Sequence, residues 1–312
     1  MILSVSRRTD IPNYYSEWFF HRIEEGFLYV RNPFNFHQIS EIDLSPKVVD
    51  CIVFWTKNPQ PMLKDLDKLK EYQYYFQFTL TGYGADVERN VPHKKKIVIP
   101  LFRKLSSKIG REKVIWRYDP IIFTDRYTPE YHLRAFEQIA CLLHGYTNKC
   151  VISFVDLYAR NKKRMDLLQQ NHISPERFFD FCRKLNAIAL ANGIKAGSCA
   201  EEIDLRTCGI QPNSCIDKTL IEELTGCSIS AGKDKSQRDQ CGCLESIETG
   251  TYNTCITGCQ YCYAHDSRKQ AIANYNKYDP YSPLLCGEVL KEDHISRRNV
   301  KSCKETQMSL SF

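Results

Sequence analysis

The sequence predicts an α/β protein built as a partial (β/α) barrel of the TIM type. Three observations predict it. Short β-branched and aromatic runs alternate with amphipathic helical stretches through most of the 312 residues, as parallel strands with helical crossovers require. Polar residues gather just after those runs, where the C-terminal strand ends of a barrel converge on one mouth. No Gly-rich turn competes with that mouth, because Gly82-Tyr83-Gly84 is too short to cradle a phosphate.

Strands are expected over residues 2–6, 51–55, 74–80, 114–118, 150–155, 194–198 and 247–252. The clearest helix opens at Thr128-Pro129-Glu130, carries Leu133, Phe136, Ile139, Ala140 and Leu143 on one face, and stops at Gly145. Threonine caps, proline suits the first turn and glycine ends the run. Ser174-Pro175-Glu176 opens a second helix, with Phe178, Phe181, Cys182, Leu185, Ile188 and Ala189 at helical spacing before Gly193. Shorter helices are expected over 17–25, 62–70, 98–108 and 216–225, with one more beginning near His265.

The strand ends present Ser6-Arg7-Arg8-Thr9-Asp10, Thr56-Lys57-Asn58, Thr79 to Tyr83, Arg117-Tyr118-Asp119, Ser153 to Asp156 and Cys199-Ala200-Glu201-Glu202. Helix capping and ordinary loop polarity explain many such residues. Arg7, Arg8, Lys57, Arg117, Asp119 and Glu201 are stronger candidates, since a charge flanked by apolar strand must find a partner.

At 36.4 kDa and 43% hydrophobic the chain can bury a full core. Its fifteen cysteines are the outlying number. The count is odd and Met1-Ile-Leu-Ser-Val-Ser-Arg-Arg lacks a basic leader followed by an apolar region, so reduced thiols in a cytoplasmic protein are expected. No apolar run has the length to span a bilayer, so no membrane partner is expected. Cys51, Cys141, Cys150 and Cys182 sit in apolar runs and read as small buried hydrophobes. The other eleven lie from Cys199 onward, which concentrates metal chemistry late in the chain.

Within that region Cys255, Cys259 and Cys262 stand at C-x3-C-x2-C spacing, with Tyr261 before the last. Three thiolates leave one iron of a four-iron cluster open to a ligand that is not protein. The same thiols with His265 also make a plausible Cys3His zinc set. The longer string from Tyr252-Asn253-Thr254-Cys255 to Cys259-Gln260-Tyr261-Cys262-Tyr263-Ala264 resembles the signature of the radical S-adenosylmethionine enzymes. It is most similar to the branch containing spore photoproduct lyase. The resemblance implies that Cys255, Cys259 and Cys262 ligate a [4Fe–4S] cluster whose open iron takes the amino and carboxylate groups of S-adenosylmethionine. It implies reductive cleavage of the sulfonium to a deoxyadenosyl radical, with Tyr261 packed near the adenine. Lys57, Thr79, Arg117 and Asp119 become candidate contacts to that cofactor or to substrate, and the electron donor is expected to be of flavodoxin or ferredoxin type. The resemblance identifies neither a substrate nor a catalytic side chain.

In that superfamily the cluster loop usually follows the first strand, whereas here it comes late. Circular permutation reconciles the two, with residues 247–312 supplying the first β-α unit and a tail, residues 1–198 the remaining barrel units, and residues 199–246 a small cysteine-rich appendage. The pattern of Ser6-Arg7-Arg8-Thr9-Asp10, Trp55-Thr56-Lys57-Asn58-Pro59, Trp116-Arg117-Tyr118-Asp119-Pro120 and the late cysteines is also similar to an uncharacterised bacterial family noted for a C-terminal cysteine cluster. By that likeness Cys199, Cys215, Cys241 and Cys243 are the four candidates for a second metal site, either another iron-sulfur cluster or zinc. Free thiols remain the alternative, and Cys208 and Cys227 are less certain extras.

The net charge of +6, with Lys94-Lys95-Lys96, Lys162-Lys163-Arg164 and Arg297-Arg298, permits nucleic-acid binding, although short basic runs are more often simply solvated. Two other classes therefore stand beside the radical enzyme: a non-catalytic iron-sulfur or zinc protein, and a nucleic-acid repair protein with a structural cluster.

Overall fold

A computed structural model describes residues 1–305. Its strands are β1 (Ile2–Val5), β2 (Phe27–Arg31), β3 (Gln38–Asp43), β4 (Cys51–Thr56), β5 (Tyr74–Thr79), β6 (Val114–Ile121), β7 (Lys149–Phe154), β8 (Lys195–Cys199), β9 (Gln211–Asn213), β10 (Ile247–Glu248) and β11 (His294–Arg297). The helices are α1 (Ile11–Tyr14), α2 (Ser16–Glu25), α3 (Ile99–Ile109), α4 (Pro129–Leu143), α5 (Lys162–Leu167), α6 (Pro175–Ala191), α7 (Lys218–Thr225) and α8 (Arg268–Tyr275).

Eight strands form one sheet in the order β10-β1-β4-β5-β6-β7-β8-β9, all in parallel. The expected α/β class is therefore present, but among the described residues the sheet stays open and no barrel closes. Its edge strands are only two and three residues long, which leaves little ladder to bridge a gap.

Side chains alternate across the sheet and build two cores. Leu3, Val5, Ile52, Phe54, Phe76, Phe78, Trp116 and Ile152 meet the apolar faces of α2, α3, α4 and α6. Ile2, Cys51, Val53, Tyr75, Ile115 and Val151 point to the other face, where Ile216, Leu220, Ile221, Ile229, Cys241, Cys243 and Leu244 cover them. The face that a barrel would turn inward is thus filled by the cysteine-rich segment, which removes the drive to close around it.

The helices obey their signals. Thr128 accepts the Tyr131 N–H at 3.2 Å, and α4 buries Phe136, Ile139, Ala140 and Leu143 between α3 and α6. Ser174 caps α6, which buries Phe181, Cys182, Leu185 and Ala189. The helix expected over 62–70 is corrected to turns followed by a 3-10 turn at Leu66–Leu69. Leu63, Leu66 and Leu69 recur every three residues and are all buried, so three residues per turn places them on one edge.

A second sheet, β11-β3-β2, was not apparent in the sequence: β2 and β3 are antiparallel and β11 joins β3 in parallel. Among the described residues no helix is long and apolar enough to cross a membrane. Residues 306–312, the end of the expected third segment, lie outside the described residues.

Candidate functional site

The cysteine loop leaves the sheet beside β1. After β10 the chain passes Gly250, where an added Cβ would lie 1.8 Å from the Ser6 Oγ, so only glycine fits. Thr254 is fully buried and its hydroxyl meets that of Thr9 at 2.6 Å. The loop base is closed by Asn253 N–H donating to the Ala264 carbonyl at 2.8 Å and Asp266 N–H to the Asn253 Oδ1 at 2.7 Å.

Two segments clamp the loop from outside. Residues 87–90 pair with it: Gln260 N–H donates to Val87 O at 2.9 Å, Asn90 N–H to Thr257 O at 3.1 Å, and Asn90 Nδ2 to Ile256 O at 2.7 Å. From α5, the Arg164 guanidinium donates to the carbonyls of Gln260 (3.0 Å), His265 (3.2 Å) and Cys262. Cys259 is buried, Cys255 and Cys262 are half-buried, and each thiol lies within electrostatic reach of the other two. Burial pushes the Cys262 thiol up to about 11 and raises Cys255 and Cys259 as well. Only a bound cation would hold all three as thiolates at neutral pH.

Behind the loop lies a buried ion group. Glu88 accepts from Lys57 Nζ at 2.8 Å and from Lys94 Nζ at 2.5 Å, and the Tyr261 hydroxyl joins both Glu88 and Lys57, the latter at 2.7 Å. Burial alone would raise the Glu88 carboxyl, but Lys57 and Lys94 outweigh it and hold the group ionised. Lys57 is also tied through its backbone N–H to Asp10 Oδ2 at 2.9 Å. Burial pushes the Asp10 carboxyl up to about 6 against that bond.

The expected mouth residues separate into two groups. Lys57 and Tyr261 stand with Cys255, Cys259 and Cys262. Arg117 instead donates Nη1 to the Cys215 Sγ at 2.8 Å and Nε to Asp119 at 2.9 Å, while Asp119 also takes the Ser153 hydroxyl. Thr79 ends β5, half-buried and in register with Arg117. Cys199, Cys215, Cys241 and Cys243 do come into one region: Cys199 and Cys215 place their sulfurs 3.1 Å apart, and Cys241 and Cys243 pack in the same cluster. Cys208 lies elsewhere, on the Phe179 carbonyl. Among the described residues no three His, Cys, Asp or Glu side chains yet stand in metal-holding array, so both sets would need thiol rotation to close on a metal.

A model of the family described as Domain of unknown function (DUF1848) matches residues 2–264, which includes every strand of the large sheet and the whole cysteine loop. The chain belongs to the DUF1848 family. No curated protein matches it. Among solved structures, a putative alpha-L-fucosidase from Bacteroides thetaiotaomicron is similar over 73% of this chain and 83% of that one, at 11% identity and a TM-score of 0.26, too slight to carry an argument.

Glu88 and Lys94 lie at this site of the DUF1848 chain and were missed by sequence reasoning. Lys94 opened a run read as solvated or nucleic-acid-binding, yet its ammonium is buried on Glu88, Thr81 and the Tyr83 carbonyl. Arg164 likewise belongs to the cysteine loop, and Arg297 pairs with Asp43 on the small sheet. His265 is buried, with Nδ1 lacking any hydrogen-bond partner.

Proposed function

We propose that this DUF1848 chain is a radical S-adenosylmethionine enzyme whose cluster is held by Cys255, Cys259 and Cys262. The observation that carries the reading is that these three thiols share one loop leaving a parallel strand, beside the Glu88-Lys57 ion pair that holds the Tyr261 hydroxyl. The donor set fits a four-iron cluster with one open iron, since three thiolates lie together with no carboxylate bonded to them. When bound, such a cluster with S-adenosylmethionine supplies reductive cleavage of the sulfonium.

The chain's own residues do the rest. Lys57 and Glu88 fix the Tyr261 ring by its hydroxyl, so that the ring is held at the cysteine loop, where an adenine would have to pack. Asp10 accepts the Lys57 N–H and can receive a cofactor amino group. β10, late in sequence yet first in the sheet beside β1, is where a permuted first β-α unit would lie. The buried sheet faces exclude water from the reacting region. A cleft of about 340 Å3 opens on Cys259, rimmed by Arg89, Arg160, Lys163, Arg164 and Arg268. Its positive rim suits an acidic electron carrier of flavodoxin or ferredoxin type.

Anaerobic reconstitution with iron and sulfide, followed by electron paramagnetic resonance with and without S-adenosylmethionine and an assay for 5′-deoxyadenosine, tests the reading. A signal changed by S-adenosylmethionine, with deoxyadenosine abolished by Cys259→Ala, is expected. An unchanged signal, or zinc in place of iron on these three thiols, would overturn it.

A further inference from the structure

The four thiols on the inner face of the sheet have no part in that reading. Cys199 ends β8, Cys215 follows β9, and Cys241 and Cys243 sit on a long connection between α7 and β10. Residues 226–246 lack any helix or extended strand, and pack against the sheet through Ile229, Cys241, Cys243 and Leu244 with isolated bridges such as Lys233 to Leu244. A loop of that length without secondary structure is uncommon in a packed domain and usually carries function.

The spacing of the sulfurs discriminates between metals. A tetrahedral zinc with Zn–S bonds of about 2.3 Å sets its sulfurs roughly 3.8 Å apart. A four-iron cluster puts each thiolate on a different iron, which spreads the sulfurs much more widely. Cys199 and Cys215 stand 3.1 Å apart, and Cys241 and Cys243 pack into the same cluster with them, so the four thiols share one small region. The Cys199–Cys215 separation is nearer to the sulfur spacing around one zinc than to the wide spacing a four-iron cluster imposes, and the remaining thiols would have to rotate toward that pair to enclose one ion.

The surroundings suit an anionic centre. Arg117 Nη1 donates to the Cys215 Sγ at 2.8 Å, and the Ile216 N–H donates to the Cys243 Sγ at 3.4 Å. Arg7 lies within electrostatic reach of Cys215 and Cys243, with its Nη2 buried and unpartnered. Tyr75 Oη (2.7 Å) and Gln77 Nε2 (2.9 Å) both donate to the Cys215 carbonyl and so fix that ligand's backbone. Outer donors of this kind orient thiolates and offset the dianion that four of them make with one zinc.

We propose that Cys199, Cys215, Cys241 and Cys243 bind a single zinc ion that staples residues 199–246 to the inner face of the sheet. Four S–H bonds release their protons as four Zn–S bonds form, and no electron is transferred. The centre does not depend on the radical reading, since it shares no ligand with the other thiol set.

The test uses the full chain. After dialysis against EDTA, metal analysis is expected to find about one zinc per chain, retained in Cys259→Ala and lost in the double variant Cys199→Ser/Cys243→Ser. If that double variant does not fold, cobalt substitution of the otherwise unaltered chain decides. Strong visible bands and thiolate-to-cobalt charge transfer, the signature of tetrahedral sulfur ligation, support the site. Iron with acid-labile sulfide retained by Cys259→Ala, a Cys199–Cys215 disulfide in freshly isolated protein, or no retained metal would each overturn it.

Discussion

Lys57 and Glu88 come from loops after different strands, yet their side chains meet at 2.8 Å beneath the cysteine loop and hold the hydroxyl of Tyr261 between them. Glu88 has to neutralise Lys57 and Lys94 together, so its loss leaves two partly buried cations unpaired. Glu88→Gln should destabilise the fold by about 3–5 kcal/mol, measured by urea unfolding. A change under about 1 kcal/mol would mean that water already solvates the group.

The Arg164 guanidinium is the outer clamp on the cysteine loop, and bonds of a charged donor to carbonyls are worth about 1.5–3 kcal/mol each. Arg164→Ala should raise amide hydrogen exchange in residues 259–265 by at least about tenfold and speed loss of iron from reconstituted protein. Unaltered exchange there would show that the inner contacts suffice.

Gly250 faces Ser6, whose hydroxyl is fixed by the N–H groups of Arg8 (2.9 Å) and Thr9 (3.1 Å) and cannot easily swing away. Gly250→Ala should cost about 1–3 kcal/mol, and adding Ser6→Gly should recover part of that. Additive losses in the double variant would argue that the two segments do not approach as described.

His132 is fully buried, with its ring between the Tyr118 hydroxyl (2.8 Å) and the Ile122 carbonyl (3.0 Å), and burial lowers its pKa to about 4. The unfolded chain takes up the imidazole proton near pH 6.5 and the folded one only near 4, so the unfolded state binds more protons between them. Stability present above pH 6.5 is lost as pH falls toward 4, by roughly 3 kcal/mol. His132→Gln should flatten that slope, read from urea midpoints across the range. An equally steep slope in the variant would assign the loss to other groups.

What the sequence revealed and what it hid follow from how local each signal is. The run Cys51-Ile52-Val53-Phe54-Trp55 is buried on both faces, so its apolar continuity marked a central parallel strand. Ser174 and Thr128 announced α6 and α4 because a cap acts within three residues. Gln38–Asp43 mixes polar and apolar residues, and β11 is exposed along its length, so the small sheet left no clear period. Closure of the sheet is a global property, and nothing local distinguishes a barrel from an open sheet whose inner face is plugged. Cys255, Cys259 and Cys262 were legible as a short motif, and Arg117 as a strand-end charge. Arg117's partner Cys215 and the Glu88-Lys94 pair were not, because their burial depends on segments far along the chain.

The pairing of β10 with β1 joins residues more than two hundred positions apart, with Leu3 opposite Ile247 and Ser4 opposite Glu248. A ribosome releases β1 long before β10 exists, so the early part of the chain must wait with that strand edge open. The cysteine loop has no floor until the last strand of the sheet arrives. The loop that carries Cys255, Cys259 and Cys262 is therefore among the last parts of this fold to take shape, laid over strands that have already paired.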